Sequence, residues 1–207
     1  QFVKHLHDYA KEVIERFTLP VNALVVDIGS NDGTCLRAFQ QLGMRVIGVD
    51  PATEIAQKAT NAGIETIGAF FSHAMARDVR DQYGPAALIT SHNACAHIDH
   101  LDDVVRGVAH WLDDDGVFVL EVGYFVDVYS KLFFDTIYHE HLDYHTVAPF
   151  EALFARTGLE MIGALRTSPQ GGSIRIMAQK VGGGRRGDGT VAELIAMERR
   201  LKLDHAD

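Results

Sequence analysis

With 207 residues, 47% hydrophobic and 23% charged, the chain has the size and composition of one well-buried domain, or one domain plus a fragment of another, and wholesale disorder is excluded. A formal net charge of −9, with no lysine or arginine stripe, argues against nucleic acid as a partner and fits a small, neutral or locally captured anionic substrate. Two cysteines without a CxxC, Cys35 and Cys95, leave no basis for a disulfide framework or a cysteine zinc site; with no apolar run of membrane length and no signal-like start, the expected location is the cytoplasm, away from any membrane.

The chain opens at Gln1 and not at Met, as a piece of something longer would. Apolar residues at three- and four-residue steps over 1–17 predict an amphipathic helix that Pro20 ends. Residues 24–28 form a continuous apolar run, as in a parallel strand covered on both faces. A helix is expected from 34 to 42, a strand over 45–50 and a helix over 53–61 closed by Gly63. Next come a short strand at 64–67, a helix at 73–82, a strand at 86–90 and a helix at 101–112. Asp113-Asp114-Asp115-Gly116 reads as a turn into a fifth strand, 117–122. Strands alternating with helices at this interval predict an α/β fold, a doubly wound and mostly parallel Rossmann-like sheet. Beyond an aromatic, histidine-rich stretch over 123–147 lie a helix at 148–157 and two strands, 159–165 and 173–180, flanking Gly171-Gly172. They predict an antiparallel hairpin at the sheet edge. Residues 1–181 are thus expected to form one domain, and 182–207 a glycine-rich linker and a helix leading to a missing or trimmed C-terminal domain.

The first strand runs into Asp27-Ile28-Gly29-Ser30-Asn31-Asp32-Gly33, and the second ends in Asp50. A strand, a tight glycine loop, a helix and a strand ending in an acid describe a nucleotide-type binding unit. The loop lacks the GxGxxG spacing of dinucleotide enzymes and the Gly-Lys-Ser/Thr of a P-loop. Acid-x-Gly-x-x-x-Gly with a second acid resembles S-adenosylmethionine (SAM) methyltransferases. That resemblance implies SAM as cofactor, with Asp27, Gly29, Ser30, Asn31 and Gly33 at its amino acid end and the Asp50 carboxylate on its ribose hydroxyls. Phe70 and Phe71, after the third strand, are candidates to stack on adenine or simply to fill the core. Asn93, after the fourth, stands at the carboxyl edge where ligands of open α/β sheets bind.

Tyr138-His139-Glu140-His141 packs a phenol, a carboxylate and two imidazoles into four residues. Three readings stand: a metal site from His139 and His141 with His145 or Glu140, a structural histidine cluster, or an acid/base site, and the last demands least of the sequence. His92 and His100 flank His97 as supporting candidates, while Arg175 suits either a phosphate or carboxylate contact or a strand-edge position.

At this point the chain is similar to the sugar C-methyltransferases that act on nucleotide-linked keto-deoxysugars. The motifs are Asp27 to Gly33, Asn93-x-x-x-His97-Ile98-Asp99, Phe134 through His141, and Gly171-Gly172-Ser173-Ile174-Arg175. The resemblance spans about residues 1–203 and implies a class I SAM methyltransferase; no metal ligand is assigned in the acid/base reading. It implies methylation of carbon alpha to a ketone, with His141 as general base and Tyr138 and His97 steadying the enolate oxygen. Glu140 would hold the sugar or orient a histidine; Tyr138, Glu140 and Arg175 would contact substrate. Family members also carry a cysteine-rich zinc segment and a large C-terminal domain, and neither is present in this sequence. O- or N-methylation of a small metabolite, and a non-catalytic SAM-binding or partner module, are the alternatives.

Overall fold

The computed structural model describes residues 2–139, 141–168 and 171–203. Helix α1 (Phe2–Phe17) leads into β1 (Leu24–Ile28), whose five residues are all buried. There follow α2 (Thr34–Gln41), β2 (Arg45–Val49), α3 (Thr53–Asn61), β3 (Thr66–Ile67), α4 (His73–Tyr83), β4 (Ala86–His92) and α5 (Leu101–Trp111). After β5 (Leu112–Gly123) come α6 (Phe125–Lys131), α7 (Val147–Thr157), β6 (Leu159–Thr167), β7 (Ser173–Lys180) and α8 (Thr190–Arg200).

The strands form one seven-stranded sheet in the order β3-β2-β1-β4-β5-β7-β6, parallel except for β7, which runs antiparallel between β5 and β6. Two apolar layers cover it. One holds Tyr9, Val13, Leu36 and Phe39 of α1 and α2; the other holds Val105, Trp111, Phe150 and Phe154 of α5 and α7. That double cover is why β1 and the carboxyl half of β5 are apolar apart from one buried acid each, Asp27 and Glu121.

The expected doubly wound sheet with its antiparallel edge is present, with one boundary corrected. Asp113–115 are not a turn before the fifth strand: β5 starts at Leu112, paired with Ala86, and the register shifts before Leu88 meets Val117. The three exposed aspartates form a bulge that lets their carboxylates reach water while the strand continues. Residues 182–203, expected as linker and helix, lie along the edge strand. The Asp188 amide donates to the Ile162 carbonyl (3.1 Å) and the Ala164 amide to Thr190 Oγ1 (2.8 Å). Among the described residues no helix is long and apolar enough to cross a membrane.

The chain turns from β1 toward β2 and β3 on one side and returns to β4 and β5 on the other. The carboxyl ends of β1 and β4 therefore flank the topological switch point, where open α/β sheets hold their ligands.

Candidate functional site

Two cavities open at this edge. The first, about 510 Å³, lies over Gly29, Asp50 and Pro51, with Phe70, Phe71 and Ala94 on its walls and 97–100 closing one side. Gly29 makes the close approach possible. Its φ is +74°, and a Cβ there would stand 2.6 Å from that of Ala94. Asp50 is aimed by two backbone amides: Asn31 donates to Oδ2 (2.8 Å) and Ala52 to Oδ1 (2.9 Å). Each carboxylate oxygen keeps a further lone pair, so a vicinal diol can still donate to both.

Asp27 and Ser30 are buried beneath the loop, and Asp27 Oδ1 and Ser30 Oγ have no partner in the structure. Burial, and secondarily the neighbouring Asp50 carboxylate, push the Asp27 carboxyl well above the usual range. An unmatched acid below the loop, a diol acceptor beside it and a largely apolar chamber fit SAM, whose ammonium and sulfonium are cationic, whose ribose carries a diol and whose adenine is flat.

The second cavity, about 310 Å³, is lined by Asn93, Thr136, Tyr138, His141, Asp143 and Tyr144, among others. The His141 ring is fixed at both nitrogens: Nδ1 stands 2.9 Å from the Thr136 carbonyl and Nε2 3.0 Å from the Tyr138 hydroxyl. A carbonyl only accepts, so Nδ1 carries the hydrogen and, in the neutral ring, Nε2 carries the lone pair. Tyr144 Oη donates to the same carbonyl (2.9 Å) and its ring stands edge-on to His141. His97 lines both cavities, its ring centroid 5.0 Å from that of His141. It follows β4 on a short 3-10 turn, Cys95–His97, which carries it into the partition.

Of the residues expected at the cofactor, Gly29, Asp50, Phe70 and Phe71 line the first cavity. Phe70 is 80% exposed at its mouth, whereas Phe71 is also core, stacked on Trp111 at 6.2 Å. Asn31 serves through its backbone amide, and Gly33, at φ +77°, precedes the first turn of α2 against Ile64. Asn93 lies on the second cavity instead of the first, with its amide held by the Glu121 carbonyl (2.7 Å).

Arg175 lines neither cavity, which corrects its expected contact with substrate. It is 4% exposed, with Nε 2.9 Å from Glu121 Oε2 and Nη1 2.9 Å from Glu12 Oε2, and its guanidinium lies over the Tyr9 ring at 4.6 Å. Two protein carboxylates already satisfy it, so no charge is left for a ligand. Glu140 lies outside the described residues. No group of three His, Cys, Asp or Glu among the described residues is placed to hold a metal; His145 is instead buried against Phe150, and that burial lowers its pKa.

Asp99 of the Asn93–Asp99 motif and Asp103 also line the first cavity, and Thr136 and Tyr144 the second, though the sequence assigns none of them a role. Thr136 acts through its carbonyl, which no side-chain pattern announces.

The methyltransferase-domain family matches residues 2–163. The C-methyltransferase NovU of Streptomyces niveus is 36% identical over 197 residues, 95% of this chain and 47% of that protein, so the chain spans about half the length of the curated relative it matches. Among solved structures, magnesium protoporphyrin IX methyltransferase (ChlM) of Synechocystis PCC 6803 with bound SAM has a TM-score of 0.62 at 13% identity, covering 86% of this chain and 79% of that one. The PH0226 protein of Pyrococcus horikoshii OT3 has a TM-score of 0.65 at 13% identity, covering 86% and 91%. Both likenesses are of fold.

Proposed function

The chain belongs to the SAM-dependent methyltransferase family, and from that premise we propose that it methylates a carbon alpha to a ketone. The observation that carries this reading is the shared wall: His97 borders both the chamber that fits SAM and the cavity that holds Tyr138 and His141. SAM supplies an electrophilic methyl group, whose bond to sulfur breaks as the bond to the acceptor carbon forms.

The rest falls to the protein. His141 Nε2 takes the alpha proton, and the C–H electron pair passes into the enolate. The imidazolium so formed keeps its Nδ1–H on the Thr136 carbonyl, so the ring does not turn as it gains charge. We assign the donors to the enolate oxygen to Tyr138 and His97; the reach of Tyr138 to Nε2 and the nearness of the His97 ring to that of His141 support the assignment. The acceptor we propose is a nucleotide-linked keto-deoxysugar. Support comes from the similarity to a C-methyltransferase and from a second cavity that mixes Tyr138 and Tyr144 with Asn93, Asp135 and Asp143, a lining suited to a hydroxylated ring.

The test is solvent exchange. In D2O without SAM, a nucleotide-linked keto-deoxysugar should gain deuterium at the alpha carbon, and with SAM it should gain the mass of one methylene there. Methylation without any exchange would move the reading to a hydroxyl or amine acceptor.

A further inference from the structure

The segment carrying Tyr138 and His141 is closed at its base and thinly held along its length. Tyr124 and His145 bridge its two ends, with the Phe125 amide donating to the His145 carbonyl (2.9 Å). Between them, Tyr129, Leu132, Phe134, Ile137 and Leu142 are exposed, and beside His141 the Leu142 amide donates to the Ala96 carbonyl (2.8 Å). Its geometry therefore depends on its base together with that tie.

That base converges on one side chain from α8. Glu198, 2% exposed, accepts the Tyr124 hydroxyl on Oε1 (2.7 Å), the Val147 amide on Oε1 (2.7 Å) and the Ala148 amide on Oε2 (3.1 Å). Thr146, at the N-cap of α7, makes no side-chain cap bond, so Glu198 caps that helix from 51 residues away. A buried carboxylate is costly unless its lone pairs are filled; here two helix-terminal amides and a phenol fill them, with the α7 dipole favouring the charge. α8 lies beyond residues 2–163, where the methyltransferase-domain match ends.

We propose that Glu198 is a positioning residue for the proposed methyl transfer: it fixes both ends of the segment and so sets where His141 and Tyr138 stand. The inference rests on the proposed function for its kinetic arm only. A Glu198→Ala variant should lose turnover on a nucleotide-linked keto-deoxysugar by about 100-fold, the cost of a displacement near 1 Å. Its SAM affinity by calorimetry should stay within about twofold, because Glu198 lines neither cavity. Glu198→Gln, which keeps an acceptor oxygen, should recover part of the loss. If Glu198→Ala does not fold, Tyr124→Phe deletes one of the three bonds and should cost about tenfold.

An arm independent of catalysis is nitrogen NMR of histidine-labelled protein. The wild type should show His141 as the Nδ1–H tautomer, and Glu198→Ala or Tyr124→Phe should abolish that preference. An unchanged His141 tautomer with unchanged turnover overturns the proposal, as does loss of SAM affinity in step with turnover. A wild type that fails to exchange or methylate any keto sugar sinks the functional reading instead, and the anchoring is then decided by the tautomer.

Discussion

His97 and His141 face each other across the partition between the two cavities, ring centroids 5.0 Å apart at an interplanar angle of 48°. Of the two, His97 lines both chambers and His141 lines the second, so the two rings should fail differently when removed. His141→Ala should abolish deuterium exchange and lower kcat by roughly 100- to 10,000-fold, the usual worth of a general base, with SAM affinity unchanged. His97→Ala should reduce both SAM affinity and kcat. Calorimetry beside stopped-time assays separates the two; equal loss of SAM affinity in both variants would refute the division.

Asp27 makes a prediction with a definite sign. Its folded pKa is raised by burial and by Asp50, so the native state holds its proton more tightly than the unfolded chain. Below the unfolded value near 3.8 the group is neutral in both states; as pH rises above it the native state loses stability, until the raised folded value is passed. Asp27→Asn should therefore raise Tm at pH 8 and leave it nearly unchanged at pH 4. The same change should weaken SAM binding by removing an acid that a cationic ligand offsets. A variant that is less stable at pH 8 would show the carboxylate to be held by partners.

His92 carries the opposite sign. Its Nε2 is sealed from solvent without a partner, and burial lowers its pKa from 6.5 to about 4. Stability is present above pH 6.5 and is lost as pH falls toward 4, by up to about 3 kcal/mol at 1.36 kcal/mol per pKa unit. His92→Gln should flatten that slope in urea titrations between pH 7 and pH 4. An unaltered slope would assign the acid sensitivity to other groups.

Gly29→Ala should cost about 1–3 kcal/mol, because φ +74° is strained for alanine and its Cβ would press on Ala94. The change should also lower SAM affinity. A second substitution, Ala94→Gly, should recover the part due to the clash and not the part due to φ, as chemical denaturation of the single and double variants would reveal.

Arg175→Met tests whether that side chain supports structure or substrate. Leaving buried Glu121 with only the His5 ring beside it, 3.4 Å from Oε1, should cost about 3 kcal/mol. Exchange and methylation measured well below Tm should retain the wild-type KM for the keto sugar. A raised KM with unchanged Tm would return Arg175 to the substrate.

Sequence periodicity reached most of the fold because doubly covered strands such as β1 leave an unambiguous apolar run and glycines close the helices. It failed at Asp113–115, where a bulge carries polar residues inside a strand. At the site, the glycine loop, Asp50 and the tyrosine-histidine segment were legible, since their chemistry is dense and local. Arg175 was not: whether an arginine is free or spent depends on Glu12, 163 residues away. Glu198 escaped for the same reason, its three partners lying in segments far from α8 in sequence.

The pairing of Glu12 with Arg175 also bears on the order in which the protein is made. Helix α1 is made with Glu12 placed to meet β7, which is not synthesised until most of this domain has followed. Until then α1 can meet α2 and β4, where the Tyr9 hydroxyl bonds Thr90 Oγ1 (2.6 Å), but Glu12 lacks the guanidinium it pairs with. Contacts of such sequence separation slow folding, since their loop must close before they contribute. Although it precedes the other elements of this domain, α1 is thus among the last of them to be fully secured, and a nascent chain halted before β7 would leave Glu12 without its arginine.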